Sequence, residues 1–389
     1  MKWLGWFLLL LTASSPAWAA KKTTVQQLKD LLISLQQAKK SDAEVASALE
    51  QIELTEELTR STMNSLVEYV PGPLATEQIY VLEARSATLV PPPADLPSTP
   101  PPDAAAQKAI LDKAIDYAAS TYSKLPQLTA TKTTIRFQDN VQVLAETSGM
   151  GTFASDSDPN LVNPSQFVRH INSTEIPVTF QNGAEQNPLL SDKTTRWGAN
   201  GQIALLGQEP VLNVVIQEAQ AAGKINWLRW ESVNGKTAAV YSFSVDRKKS
   251  HYAVNYCCFP DTEQAGVLRF TPMTAGGSKQ ATGNMQTNTS YSKNFKATVP
   301  YHGEIFVDPD TGIVVRLITT AEFKSSDLVQ QEEQRFDYGP VTVGAKTLVL
   351  PTKTVIKTEI VPNGDTGSGK FLLRHTLFTA EYKNYNAAN

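Results

Sequence analysis

The chain has 389 residues, 41% hydrophobic and 19% charged, the balance of a folded polypeptide rather than a disordered or fibrous one. A formal net charge of -3 and a pI near 5.9 provide no bulk positive field, which argues against a charge-driven binder of nucleic acid or acidic lipid.

The first residues, MKWLGWFLLLLTASSPAWAA, set Lys2 before an apolar run from Trp3 to Leu11 and an A-x-A site at Ala17-Trp18-Ala19. Residues 1–20 therefore read as a secretory signal peptide, whose apolar run is too short to span a bilayer. No cysteine follows it for lipid attachment, and no later stretch approaches about 18 consecutive apolar residues. The mature chain is expected in the periplasm or secreted, with no transmembrane segment.

Residues 21–89 read as a small helical domain. Val25, Leu28, Leu31, Leu32 and Leu35 recur at helical spacing. Ser41-Asp42-Ala43-Glu44 forms a capping box, after which Val45, Leu49 and Ile52 are expected on one helical face. Further helical turns end at Pro71-Gly72-Pro73, and another helix is expected from Leu74 to Ala87. The segment 90–103, VPPPADLPSTPPPD, carries seven prolines and reads as a stiff, extended linker.

Residues 104–389 then form the main domain. A helix from Ala104 to Lys124 carries Ile110, Leu111, Ala114, Tyr117, Ala118 and Thr121 on one face. After Pro126 the chain turns to short β-branched and aromatic runs, interrupted by one helix from Pro210 to Ala222 that Gly223 ends. About ten strands with hairpin spacing and two helices predict a large antiparallel sheet curled around apolar contents. Two polar stretches, Ser155 to Asn200 and Thr271 to Asn294, read as long loops.

Few segments look like chemistry. In GEIFVDPDTGIVVRL, Asp308-Pro309-Asp310-Thr311-Gly312 lacks the further ligands of a calcium loop, and every residue suits a hairpin corner. GDTGSGK, Gly364 to Lys370, has the spacing of a phosphate loop, but Phe371 stands where Ser or Thr is needed and strands flank it. His170, His251, His302 and His375 are scattered and match no zinc motif. No nucleophile elbow is present. No cofactor, metal site or catalytic residue is expected from these patterns.

The two cysteines, Cys257 and Cys258, are neighbours. Their Cα atoms lie about 3.8 Å apart, below the usual disulfide range. A strained vicinal disulfide, a pair of buried thiols and a cross-link to another molecule all remain open. Trp227, Trp230, Tyr241, Phe243, Tyr252, Tyr256 and Phe259 crowd one region. They read as core, or, in the functional alternative, Trp227, Trp230, Tyr241, Phe243, Tyr252 and Tyr256 line an apolar ligand cavity inside the curved sheet.

GEIFVDPDTGIVVRL followed by RFDYGPVTVGAKTLVLPTKTVIKTEI resembles the closing strands of the outer-membrane lipoprotein carrier and sorting superfamily (LolA/LolB-like). Its members share a V-D-P-x-T-G hairpin with a basic residue on the next strand, here Arg316. The resemblance covers Ala104 to about Tyr385. The motifs IELTEELT, DYAASTY, INWLRWE and SHYAVNYCCFP also make the whole chain similar to an uncharacterised family of exported bacterial proteins. The carrier resemblance implies an α+β fold: a LolA-like antiparallel half-barrel around one or two helices, sheltering an acyl chain of a lipid or lipoprotein. The expected function is therefore non-enzymatic binding of an apolar ligand. The alternatives are an envelope scaffold acting through the N-terminal helices, with an envelope protein as partner, and a hydrolase with a site assembled across strands.

Overall fold

A computed structural model describes residues 20–138, 168–186, 204–205, 211–260, 292–360 and 374–388. Among these lie six α-helices and fifteen strands. Residues 1–19 of the expected signal peptide, the Gly364–Lys370 segment and the Thr271–Asn294 stretch up to Tyr291 fall outside the described residues.

The N-terminal unit folds on its own small core. Helix α1 (Val25–Gln37) starts at Thr24, and α2 (Asp42–Glu50) starts at the capping box of Ser41 and Glu44. Helices α3 (Arg60–Leu66) and α4 (Pro73–Arg85) follow, α4 with proline in its first turn. The Asp42 carboxylate accepts from Leu74 N at 3.0 Å and Ala75 N at 2.9 Å, so the start of α2 also caps α4. One expectation fails: α2 ends at Glu50, and Ile52 belongs to a short strand, β2 (Ile52–Leu54), paired in parallel with β1 (Lys21–Thr23). Ile52, Glu53 and Leu54 alternate in, out, in, which is strand periodicity and not helical. Leu28, Leu32, Leu49, Leu58, Met63 and Leu66 fill the centre of this unit.

The main domain is built on an open ten-stranded antiparallel sheet, ordered β5-β4-β3-β15-β14-β13-β12-β11-β8-β7 and not closed into a barrel. Its strands are β3 (Leu128–Gln138), β4 (Arg169–Gln181), β5 (Ala184–Gln186), β7 (Ile225–Val233), β8 (Lys236–Val245), β11 (Tyr301–Val307), β12 (Val314–Ala321), β13 (Val329–Val343), β14 (Lys346–Ile360) and β15 (Arg374–Ala387). A second, three-stranded sheet pairs β9 (Ala253–Pro260) with β10 (Ser292–Thr298) and with β6 (Ala204–Leu205). The expected single sheet is thus two.

Turn chemistry sets the register. Asn182-Gly183 joins β4 to β5 and Asn234-Gly235 joins β7 to β8, all four residues with positive φ, the demand of a two-residue hairpin turn. The Asp308 hairpin is the corner expected: Asp308 Oδ1 accepts from Asp310 N and Thr311 N at 3.0 Å, and Gly312 has φ +74. Inside the polar stretch 155–200, the β-branched and aromatic runs QFVRHI and EIPVTF supply one strand, β4, which runs unbroken past Pro177. Pro177 is tolerated because β5 reaches only Thr179, leaving no partner on that side to require its missing N–H.

Helix α5 (Ala104–Ser120) and helix α6 (Leu212–Ala222) cover one face, here called the inner face, and share its core with Tyr241, Phe243, Tyr301, Ile305, Leu317 and Phe336. The N-terminal unit packs on the outer face, where Val81, Ala84 and Ala87 meet Phe137, Val355 and Leu377. The proline-rich segment joins the two layers past the β7 edge. Its Val90 carbonyl accepts from Glu57 N, and its Pro100 carbonyl accepts from the Trp230 indole at 2.9 Å. Lys113 of α5 donates to the carbonyls of Pro309 and Asp310, so the hairpin corner serves as a rest for that helix.

Candidate functional site

Five of the aromatic residues singled out by sequence lie on the inner face, in two clusters. Trp227 and Trp230 are three apart and should face opposite sides of a regular strand. A register shift between Trp227 and Arg229 turns both inward, pairing them with Tyr241 and Ala239. Trp227 meets Trp230 edge-on at 4.9 Å and Tyr241 at 5.6 Å. Tyr241 donates to the Gln107 carbonyl at 2.6 Å, and burial pushes its phenol up to about 12. This cluster fastens the linker and the start of α5 to the sheet.

In the second cluster Tyr301 meets Phe243 edge-on at 5.8 Å and Tyr252 edge-on at 5.4 Å. The side chains of Tyr256, Phe259, Cys257 and Cys258 lie outside the described residues, and with them the vicinal-disulfide question. Neither the small cavity beside α6 nor the outer-face cleft, both described below, is lined by the five placed aromatics.

Helix α6 lies over the second cluster. Leu212, Val215, Ile216 and Ala219 form its apolar stripe and are fully buried. Glu218 sits on the same side, 7% exposed. It accepts from Tyr301 Oη at 2.7 Å and from His251 N at 2.9 Å, with His251 Nδ1 at 2.6 Å. Burial, reinforced by the Glu218 carboxylate, pushes the Tyr301 phenol well above its ordinary value. One buried carboxylate thus clasps the helix. A small cavity of ≈ 20 Å³ opens beside the start of α6, among Tyr122, Phe180, Val211, Leu212, Phe336 and Tyr338.

Next to the aromatics runs a polar strip that the sequence reading missed. Thr319, Glu332, Gln334, Thr354, Thr358 and Thr376 all point to the inner face and are at most 2% exposed. Glu332 Oε1 accepts from Tyr252 Oη and from Gln334 Nε2. Complete burial nevertheless raises Glu332 to about 7, against the lowering effect of those two donors. Thr358 and Thr376 share a hydroxyl–hydroxyl bond. Four oxygens, Thr319 Oγ1, Glu332 Oε2, Gln334 Oε1 and Thr354 Oγ1, have no hydrogen-bond partner.

The outer face carries a different set. Arg316, the basic residue after the hairpin, bonds Asp337 at 2.7 Å and approaches Glu231 at 3.4 Å. Arg335 reaches Asp337 at 3.0 Å and also binds Glu57, which anchors the N-terminal unit. Burial alone would raise the Asp337 carboxyl; the two guanidiniums outweigh it and hold the group well below the usual range. A cleft of ≈ 140 Å³ opens between this unit and the sheet, lined by Leu54, Leu82, Arg85, Lys357, Glu359 and His375 among others. His375 and Glu359 face each other in register at 3.4 Å, and Lys357 pairs with Glu333 at 2.8 Å. The Ser86 hydroxyl in the lining is engaged with the Leu82 carbonyl.

Among the described residues no group of three or more metal-ligating side chains converges, and no helix is long and apolar enough to cross a membrane. No family model, curated protein or solved structure matches the chain.

Proposed function

We propose that this is an exported, non-enzymatic protein that takes up the apolar chain of a lipid or lipoprotein on the inner face of its open sheet, with α6 as a displaceable cover. The carrying observation is the way α6 is held: one apolar stripe of four residues and one buried carboxylate, packed on the aromatic part of the inner face. In this structure that face is occupied by α5 and α6, so a ligand enters by exchanging places with α6.

The magnitudes permit the exchange. Burying Leu212, Val215, Ile216 and Ala219 stabilises the covered state by roughly 5–9 kcal/mol at about 1.5–3 kcal/mol per large side chain. A lauroyl chain buried in their stead returns a comparable amount, at about 0.8 kcal/mol per methylene. The carrier superfamily that the closing strands resemble shelters acyl chains beneath a helical lid, and α6 is the counterpart candidate here.

The hydrolase alternative would rest on His375 and Glu359 in the outer cleft. That pair is a cross-strand contact whose neighbouring charges and hydroxyls are already engaged, and it supports catalysis less well. The scaffold alternative would need the N-terminal helices free for a partner, whereas one side of α4 is taken up by the sheet.

Titration of the mature protein with lauroyl lipids, followed by native mass spectrometry and displacement of a fluorescent apolar probe, tests the proposal. Saturable binding at one chain per protein is expected. A protein that takes up neither lipid nor probe would overturn it.

A further inference from the structure

The outer-face cleft is the larger of the two open spaces described, and it lies where two separately cored units meet. Small-molecule sites favour such junctions. Its ≈ 140 Å³ is close to the roughly 150 Å³ of a cavity that admits a benzene-sized guest. The two units line it with different chemistry. The N-terminal unit supplies Leu54, Leu82 and Leu89 as an apolar wall. From the sheet, β14 turns Lys357 and Glu359 into the cleft, two residues apart on one face and so about 7 Å apart along the strand.

The hydrogen bond with His375 holds the Glu359 carboxyl below its usual value, so it presents a negative charge. Lys357 pairs with Glu333 at 2.8 Å, which takes one of the three ammonium donors. Neither side chain is thereby closed to a further partner: Glu359 keeps oxygen lone pairs beyond the His375 contact, and Lys357 keeps N–H groups beyond the Glu333 contact. Glu53 of β2 and Arg85 of α4 repeat the mixture of signs on the N-terminal unit.

That pattern discriminates among ligands. An ion of one sign gains a single partner and faces its own charge two residues along β14. A wholly apolar guest strips water from both charges and returns no hydrogen bond. An α-amino acid carries its ammonium and its carboxylate on one Cα, and a charge-assisted hydrogen bond of about 2.8 Å at each end spans the gap between Glu359 and Lys357. Its side chain is then left for the leucine wall.

We infer that this cleft binds a free α-amino acid with an apolar side chain, its ammonium on Glu359, its carboxylate on Lys357 and its side chain against Leu54, Leu82 and Leu89. The inference goes beyond the apolar-chain reading and stands apart from it, since it concerns the opposite face of the sheet.

Calorimetric titration of the mature protein near neutral pH with L-leucine, N-acetyl-leucine, leucinamide and glycine tests it. Leucine is expected to saturate one site. N-Acetyl-leucine lacks the cation, leucinamide lacks the anion and glycine lacks the side chain. Each should bind at least about tenfold more weakly, the equivalent of about 1.4 kcal/mol. Glu359→Gln should shrink the preference for leucine over N-acetyl-leucine several-fold, and Lys357→Met the preference over leucinamide. The comparison among ligands is read on the wild type, so it stands even where a variant fails to fold. Equal binding of leucine and its two one-charge analogues, or no saturable binding of leucine, overturns the inference and leaves the cleft to water. Preferences undiminished in folded variants overturn it as well, by placing the site elsewhere. None of these results bears on lipid uptake by the inner face, which the lauroyl titration decides separately.

Discussion

Replacing Glu332 by glutamine should flatten one component of the protein's pH–stability profile. The carboxyl is fully buried and raised to about 7 from an ordinary 4.5. Because its folded value lies above its unfolded value, the neutral form is the one the fold prefers. Its contribution is fully present below about pH 4.5 and is lost as pH rises through about 7. A gap of about 2.5 units at about 1.4 kcal/mol per unit gives a total near 3 kcal/mol, of which about 2–3 kcal/mol falls between about pH 5 and about pH 8. Glutamine keeps an acceptor for Tyr252 and Gln334, and its amide can donate to the unpartnered Gln334 Oε1. Urea unfolding of wild type and Glu332→Gln at both pH values gives the difference directly, with other titrating groups cancelling. The variant should gain on the wild type by about 2–3 kcal/mol between the two pH values. An unchanged difference, or one of opposite sign, would refute a carboxyl buried in neutral form.

Other perturbations follow from the same contacts. Glu218→Ala removes the acceptor of Tyr301 and His251, weakening the covered state by about 1–3 kcal/mol; affinity for an apolar chain should rise by the matching factor of about 5 to about 150, since less closed protein must be opened. A fall in affinity on titration would count against α6 as the cover. Asp337→Ala leaves Arg316 and Arg335 without their shared carboxylate and should cost about 3–5 kcal/mol in urea unfolding, less so in acid. The acid attenuation follows because the lowered Asp337 contributes stability above its unfolded pKa and loses it as pH falls. Gly312→Ala would put a Cβ 2.6 Å from the Lys113 backbone at φ +74, and a loss of about 1–3 kcal/mol is expected in thermal melts. A melt equal to wild type would contradict the seat of α5 on that hairpin.

Much of the architecture is legible from residue type. Ser41 with Glu44 announces α2, and Asp308 to Gly312 announces the β11–β12 corner, because each is a local demand met by local side chains. What is not legible depends on faces. In QQEEQRFD the polar residues alternate with other polar residues, so period two carries no hydrophobic contrast, and nothing tells Glu332 and Gln334, turned inward, from Glu333 and Arg335, turned outward. The inward turn of both Trp227 and Trp230 depends on a bulge at Leu228, which has no glycine to signal it. Ile52 continues the helical spacing of Val45 and Leu49, and its three-residue parallel pairing is visible only once β1 is beside it. His375 and Glu359 meet across a hairpin whose connecting residues give no clue to register.

The displacement of α6 is most directly read as a distance. Spin labels on non-natural side chains at the exposed positions Gln217 of α6 and Lys346 at the β13–β14 turn report its position over the sheet. Saturation of the mature protein with lauroyl glycerol should shift the distance distribution to a new maximum, and withdrawal of the lipid should restore it. A distribution identical with and without bound lipid would mean that the chain sits elsewhere and that α6 is a fixed part of the core.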